Sequence, residues 1–238
     1  MKHSAKPAEP SRDADDMRPE YDFSHGVRGR HAHLFGEITE DETRVSEFLA
    51  LKGFEVGPFE KSATRFAKTP DFQLFRGGHL VAFCEVKSFT KDRWLDEQLA
   101  QAAPGELAGG LRPDPTYNRI SNAVHTAAQQ LRSVNPVHEF LNFLVLVNHD
   151  KAAKGEDLIS VLTGQWDPLH GIFDETHTQH SNGRIREEKR EIDLYLWIES
   201  FKDNDPFRCR LFFSGNDKTR DQVCALFEID PKAIKNVG

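Results

Sequence analysis

The pattern of apolar and polar positions first indicates a β-hairpin at residues 69–88. Two apolar runs, residues 72–75 and 80–87, flank an Arg-Gly-Gly-His sequence that is typical of a tight turn. Side chains alternate across a strand, so Glu85 and Lys87 share one face of the second strand. Burying a carboxylate and an ammonium group in an apolar strand is costly unless they are paired or hold a metal ion. The hairpin is therefore the first candidate for a functional site.

A capping box precedes the hairpin. Residues 39–42, Thr-Glu-Asp-Glu, have the N-cap threonine and the following glutamate of this motif, and they predict a helix that runs to about Lys52. Glu47 is placed beside the apolar stripe of this helix. The stripe consists of Val45, Phe48 and Leu49.

The later part of the chain alternates between helical and strand patterns. The strongest helical periodicity covers residues 116–134, and the continuous apolar run at residues 140–147 is typical of a strand covered on both faces. The other predicted segments are a strand at 54–58, helices at 91–101 and 217–227, a strand or helix at 158–162, a loop at 177–189, and antiparallel strands at 192–201 and 207–213. This order predicts an α/β fold with a central mixed sheet flanked by helices.

Composition excludes several classes of protein. The 238 residues are 38% apolar, enough for a sizeable core, and their net charge of −7 is unlike that of a generic nucleic-acid-binding protein. Residues 52–93 nevertheless carry eight basic and five acidic side chains. Three widely spaced cysteines argue against a disulfide scaffold. No apolar run approaches the roughly 20 residues of a membrane span, and the polar start lacks a signal region, so we expect a cytoplasmic protein without membrane contact.

The order of elements over residues 39–148 resembles that of the PD-(D/E)xK nuclease superfamily. The matching residues are Pro70-Asp71 and Glu85-Val86-Lys87, and Glu47 takes the position of the acidic residue on the first core helix. The resemblance implies a restriction-endonuclease-like fold and a metal-dependent endonuclease that acts on nucleic acid, DNA rather than RNA. The helix at 116–134 also resembles the family's motif helix, through Ile120, Ala123, Ala127, Gln130 and Leu131. Two roles are open for Gln130, a contact to the site or substrate and a structural one. We favour the structural role, because a glutamine on a helix face is more often structural.

Short motifs recur by chance, and this chain contains several. Residues 113–114 form a second Pro-Asp pair, and residues 187–189 and 230–232 also fit the (D/E)xK pattern. Glu85-Val86-Lys87 is the only (D/E)xK copy that ends an apolar strand. The copy at 187–189 lies in a charged run and the copy at 230–232 contains a proline, and the second Pro-Asp pair lies in a Pro-rich loop. The alternative for Glu85 and Lys87 is an exposed ion pair at a strand end.

The chemistry of the predicted site follows from its residue types. Mg²⁺ prefers oxygen ligands and commonly takes one or two protein carboxylates together with several waters. We therefore predict that Asp71, Glu85 and the Val86 backbone carbonyl bind Mg²⁺, with Mn²⁺ as a substitute, and that Glu47 completes the outer shell or binds a second ion. Such an ion lowers the pKa of bound water. Lys87 is placed to orient or deprotonate that water and to stabilise the negative charge that develops on the phosphoryl group.

We divide the chain into a flexible arm at residues 1–35, a nuclease-like core at 36–150, and a C-terminal extension of the same domain at 151–238. The arm contains Met-Arg-Pro-Glu-Tyr-Asp-Phe-Ser at residues 17–24, a motif that resembles one in small bacterial antitoxin-like proteins, so it predicts a protein partner. Two alternatives to the nuclease remain open. One is a catalytically inactive, antitoxin- or immunity-like binding protein on the same scaffold, and the other is a different phosphate-ester or nucleotide hydrolase. The C-terminal extension is compatible with a homodimer interface.

Overall fold

The computed structural model describes residues 39–59, 69–90, 94–103, 105–106, 116–151, 153–164, 185–200 and 208–237. The predicted arm at residues 1–35 lies outside these ranges.

The described strands form one seven-stranded mixed sheet whose order in space follows their order in the chain. The strands are β1 (Glu55–Pro58), β2 (Phe72–Arg76), β3 (His79–Phe89), β4 (Leu141–Asn148), β5 (Leu194–Glu199), β6 (Arg208–Phe213) and β7 (Lys235–Asn236). The central strands β3, β4 and β5 run parallel, whereas β1 and β2 extend β3, and β6 extends β5, in antiparallel pairs. The short β7 runs parallel to β6. The predicted mixed sheet is confirmed.

Six α-helices lie in the described part of the chain. They are α1 (Glu40–Leu51), α2 (Trp94–Gln101), α3 (Thr116–Val134), α4 (Gly155–Thr163), α5 (Arg186–Arg190) and α6 (Asp217–Phe227), and a 3-10 helix (Pro231–Ala233) follows α6. The capping box is confirmed, since the Thr39 hydroxyl accepts from the Glu42 N–H and the Glu42 carboxylate accepts from the Thr39 N–H. None of these helices combines the length and the apolarity needed to cross a membrane.

The structure resolves one ambiguous segment and differs from the prediction in another. The ambiguous residues 158–162 belong to the helix α4, which ends at Gly164 in the left-handed conformation. Residues 186–189, the end of the loop predicted at 177–189, form α5 together with Arg190, so this part of the prediction is wrong. Residues 177–184 lie outside the described residues. The sequence Arg-Glu-Glu-Lys-Arg has no apolar spacing, and α5 therefore gives no amphipathic signal.

The helices cover the sheet in two layers. On one face, α1 and α6 pack against Cys84 and Val86 of β3. On the other face, α3 and α4 pack against a cluster that includes Phe83 and Phe89. Even-numbered and odd-numbered residues at the end of β3 therefore face opposite layers, and Glu85 and Lys87 point to the α3 side.

Candidate functional site

The site begins where β2 ends its pairing with β3. The last pair of this ladder is Phe72 with Cys84, so the Val86 N–H lies beyond it. The Asp71 side chain takes the place of the missing strand, because its Oδ2 accepts the Val86 N–H at 2.9 Å. The N–H and C=O of one strand residue point to the same edge, so the Val86 carbonyl also faces this edge. The structure thus brings Asp71 and Val86 together as predicted from the hairpin.

Lys87 lies between the sheet and α3. Its ammonium group donates to Glu85 Oε1 and, at 2.9 Å, to Gln130 Oε1. Gln130 is buried, and its amide nitrogen donates to the Thr69 carbonyl at 2.9 Å. One glutamine therefore connects α3 to the lysine and to the segment that carries Asp71.

Gln130 belongs to the site, although the sequence favoured a structural role for it. Of the two roles left open, the structure supports the contact to the site, because the side chain contacts Lys87 directly. A usable signal was present in the sequence. Gln130 lies between Ala127 and Leu131 on the apolar face of an amphipathic helix, where a polar side chain needs hydrogen-bonding partners.

Glu85 is the most perturbed group of the site. Only 1% of the residue is exposed, and its Oε2 has no hydrogen-bond partner among the described residues. Burial and, after it, the Asp71 charge together raise the pKa of Glu85 from 4.5 to about 8, although Lys87 and Gln130 act to lower it. The positive charge of one lysine therefore offsets the charges of two neighbouring carboxylates only in part. A bound cation would stabilise the ionised form of both.

The donor set fits a magnesium or manganese ion. Asp71 and Glu85 supply carboxylate oxygens, Val86 supplies a carbonyl at the same edge, and the buried Oε2 of Glu85 needs a partner. Within the described ranges no cluster of three or more His, Cys, Asp or Glu side chains is suited to a metal. Mg²⁺ does not require one, because it commonly binds through one or two carboxylates and keeps several waters.

The structure does not bring Glu47 to this site. At about 100° per residue, Glu47 lies about 200° round α1 from the buried Val45, and its side chain is exposed. The helix also packs on the sheet face of Cys84 and Val86, opposite to Glu85. The prediction that Glu47 lies beside the apolar stripe is wrong, and its suggested contribution to metal binding has no support from the geometry.

The competing motif copies serve local structure. Lys189 lies in α5 and donates its ammonium group to the Leu162 carbonyl. Asp230 caps the 3-10 helix by accepting the Lys232 N–H at 2.9 Å. The pair at residues 113–114 lies outside the described residues.

Comparisons of the chain with protein-family models, with curated proteins and with solved structures give no match.

Proposed function

We propose that this protein is a Mg²⁺-dependent nuclease that hydrolyses phosphodiester bonds in nucleic acid, DNA rather than RNA. The observation that carries the proposal is the buried Glu85, whose unpartnered Oε2 lies in a site shared with Asp71 and Lys87. A buried carboxylate with a pKa near 8 destabilises the folded protein at neutral pH unless a cation is bound. Such a cost is expected at a site kept for function rather than for stability.

Each residue has a role that follows from its position. Asp71, Glu85 and the Val86 carbonyl would hold the ion, and a bound Mg²⁺ supplies Lewis acidity and a water of lowered pKa. The Lys87 ammonium group points into the same space and can donate hydrogen bonds to the attacking water or to a phosphoryl oxygen. Gln130 keeps this ammonium group in place because its own amide is held by the Thr69 carbonyl.

The second candidate is a non-catalytic binding protein on a nuclease scaffold, with a protein partner at the N-terminal arm. The net charge of −7 favours it, because a negatively charged protein repels nucleic acid unless a local site is positive. A scaffold without catalysis has no need of a buried and partly compensated Glu85, which would be readily replaced by an apolar residue. We therefore prefer the nuclease.

Cleavage assays with two variants test the proposal. Asp71→Asn keeps an oxygen that can accept the Val86 N–H but removes the charge, and Lys87→Met keeps the aliphatic stem but removes the ammonium group. We expect each change to lower Mg²⁺-dependent cleavage of DNA by at least about 100-fold, as for the loss of a catalytic acid–base group. Glu47→Gln is the matched control, and it should retain full activity because Glu47 is exposed on the far side of α1.

Both variants should keep the circular dichroism spectrum of the wild-type protein. Wild-type cleavage that persists in EDTA, or full activity in either site variant, would remove the basis for the proposal. Parallel assays on RNA of the same sequence decide the choice of nucleic acid.

A further inference from the structure

Helix α3 places a second polar side chain along the same line as Gln130. Arg119 and Gln130 are eleven residues apart, which is about three full turns, so they lie on one face of the helix about 16 Å apart along its axis. Gln130 contacts Lys87, and the guanidinium of Arg119 lies 5.4 Å from the ring centre of Phe89. Phe89 follows Lys87 by two residues on the same face of β3. Arg119 thus extends the site towards the end of the strand.

The Arg119 guanidinium is held in a fixed orientation. Its Nη1 donates to Asp150 Oδ2 at 3.1 Å, its Nη2 donates to the Thr90 carbonyl at 2.8 Å, and Asp150 is itself buried. A guanidinium has five N–H donors, so three of them have no acceptor among the described residues. The side chain remains 25% exposed. These features describe a preorganised cation with donors left for a ligand.

Arg119 lies close enough to the site to reach a second phosphate of the same strand. Three residues of extended chain, or about 10 Å, separate Lys87 from Thr90, whose carbonyl holds the guanidinium. A nucleic-acid strand carries one phosphate per nucleotide, so a strand bound at Lys87 has another phosphate within this distance.

We propose that Arg119 binds a backbone phosphate near the bond that is cut but not the phosphate of that bond, so that the site selects polynucleotides over single phosphodiesters. This inference rests on the proposed nuclease function. Arg119 is a substrate-binding residue in this account, and it takes no part in the chemical step at Asp71, Glu85 and Lys87.

The test compares two substrates in the full-length protein with Mn²⁺. One is a 12-nucleotide DNA strand, and the other is bis(4-nitrophenyl) phosphate, which has a single phosphate and no neighbour for Arg119. Arg119→Lys keeps a cation opposite Asp150 but loses the planar guanidinium group with its several N–H donors. The double variant Arg119→Gln/Asp150→Asn removes both charges of this ion pair, so that the buried Asp150 carboxylate does not lose its guanidinium partner while still charged.

For both variants we expect kcat/KM on the oligonucleotide to fall about 10- to 100-fold, mainly through KM, as for the loss of a charge-assisted hydrogen bond. Hydrolysis of bis(4-nitrophenyl) phosphate should change by less than about twofold. Arg132→Gln is the control, because Arg132 lies on the opposite side of α3 and pairs with Glu191 at 2.9 Å. Equal losses on both substrates, or an unchanged KM for the oligonucleotide, would overturn the inference.

A binding measurement separates this inference from the nuclease proposal. If the wild-type protein hydrolyses neither substrate with Mg²⁺ or Mn²⁺, the nuclease proposal fails, but oligonucleotide binding still tests Arg119. The slope of log K against log salt concentration should become smaller by about 0.7 in the double variant, the value for one phosphate contact to a single strand. An unchanged slope, or no binding by the wild-type protein, contradicts a phosphate contact at Arg119.

Discussion

The substitution Glu85→Gln should stabilise the metal-free protein at neutral and alkaline pH while it abolishes activity. The glutamine has nearly the same shape, and its carbonyl oxygen can still accept a hydrogen bond from Lys87. It removes an ionisable group that is 1% exposed and has an unpartnered Oε2. The change therefore isolates the free energy of folding that is lost by keeping a carboxylate in this position.

The size and the sign of the effect follow from the pKa of Glu85. Its pKa is about 8 in the folded protein and 4.5 in the unfolded chain, so between these values the unfolded chain loses a proton that the folded protein retains. Wild-type stability consequently falls as the pH rises through this window, by about 1.4 kcal/mol per pH unit. The glutamine variant lacks this loss. From pH 5 to pH 8 its free energy of unfolding should rise relative to wild type by roughly 4 kcal/mol.

Urea denaturation in EDTA, followed by tryptophan fluorescence from pH 5 to pH 9, measures this difference. Other titrating groups occur in both proteins, so most of their contributions cancel when the two curves are subtracted. The difference should grow between pH 5 and pH 8 and then level off. A difference that is constant with pH, or that favours wild type at pH 8, would mean that the pKa of Glu85 is not raised in the folded protein.

Two further results are expected. Below pH 8 a metal ion must displace the Glu85 proton in order to bind. The apparent Mn²⁺ affinity measured by calorimetry should therefore rise up to tenfold per pH unit below pH 8 and reach a plateau above it. An affinity that does not depend on pH would contradict this expectation. The change Gln130→Met should lower kcat about tenfold and stability by about 1–3 kcal/mol, because Lys87 and the Thr69 carbonyl each lose a partner. An unchanged kcat in steady-state assays would mean that Gln130 only supports the fold.

The parts of the fold that sequence predicted well have local causes. Helix α1 begins at its capping box, and α3 has the predicted bounds because its apolar periodicity is uninterrupted over 19 residues. Strand β4 is buried at all eight positions, as its continuous apolar run indicated. The hairpin turn follows from Gly77 and Gly78, which both adopt positive φ angles that other residues rarely take.

The parts that sequence missed depend on distant contacts. The two-residue strand β7 forms only because β6 offers an edge to pair with, and α5 has no apolar pattern of its own. For Gln130 the sequence left two roles open and could not decide between them, because the contact to Lys87 spans 43 residues, a distance over which spacing carries no information. Glu47 was misplaced for a local reason. It is two residues from both Val45 and Leu49, and two residues along a helix place a side chain on nearly the opposite face.

The most direct test of the metal centre is a crystal structure of the protein soaked in Mn²⁺, with anomalous scattering recorded near the manganese edge. We expect one strong anomalous peak about 2 Å from carboxylate oxygens of both Asp71 and Glu85 and within reach of the Val86 carbonyl. In Asp71→Asn crystals the same peak should be lost or strongly weakened. If a wild-type crystal at millimolar Mn²⁺ has no peak between these two carboxylates, Asp71 and Glu85 do not form a metal site.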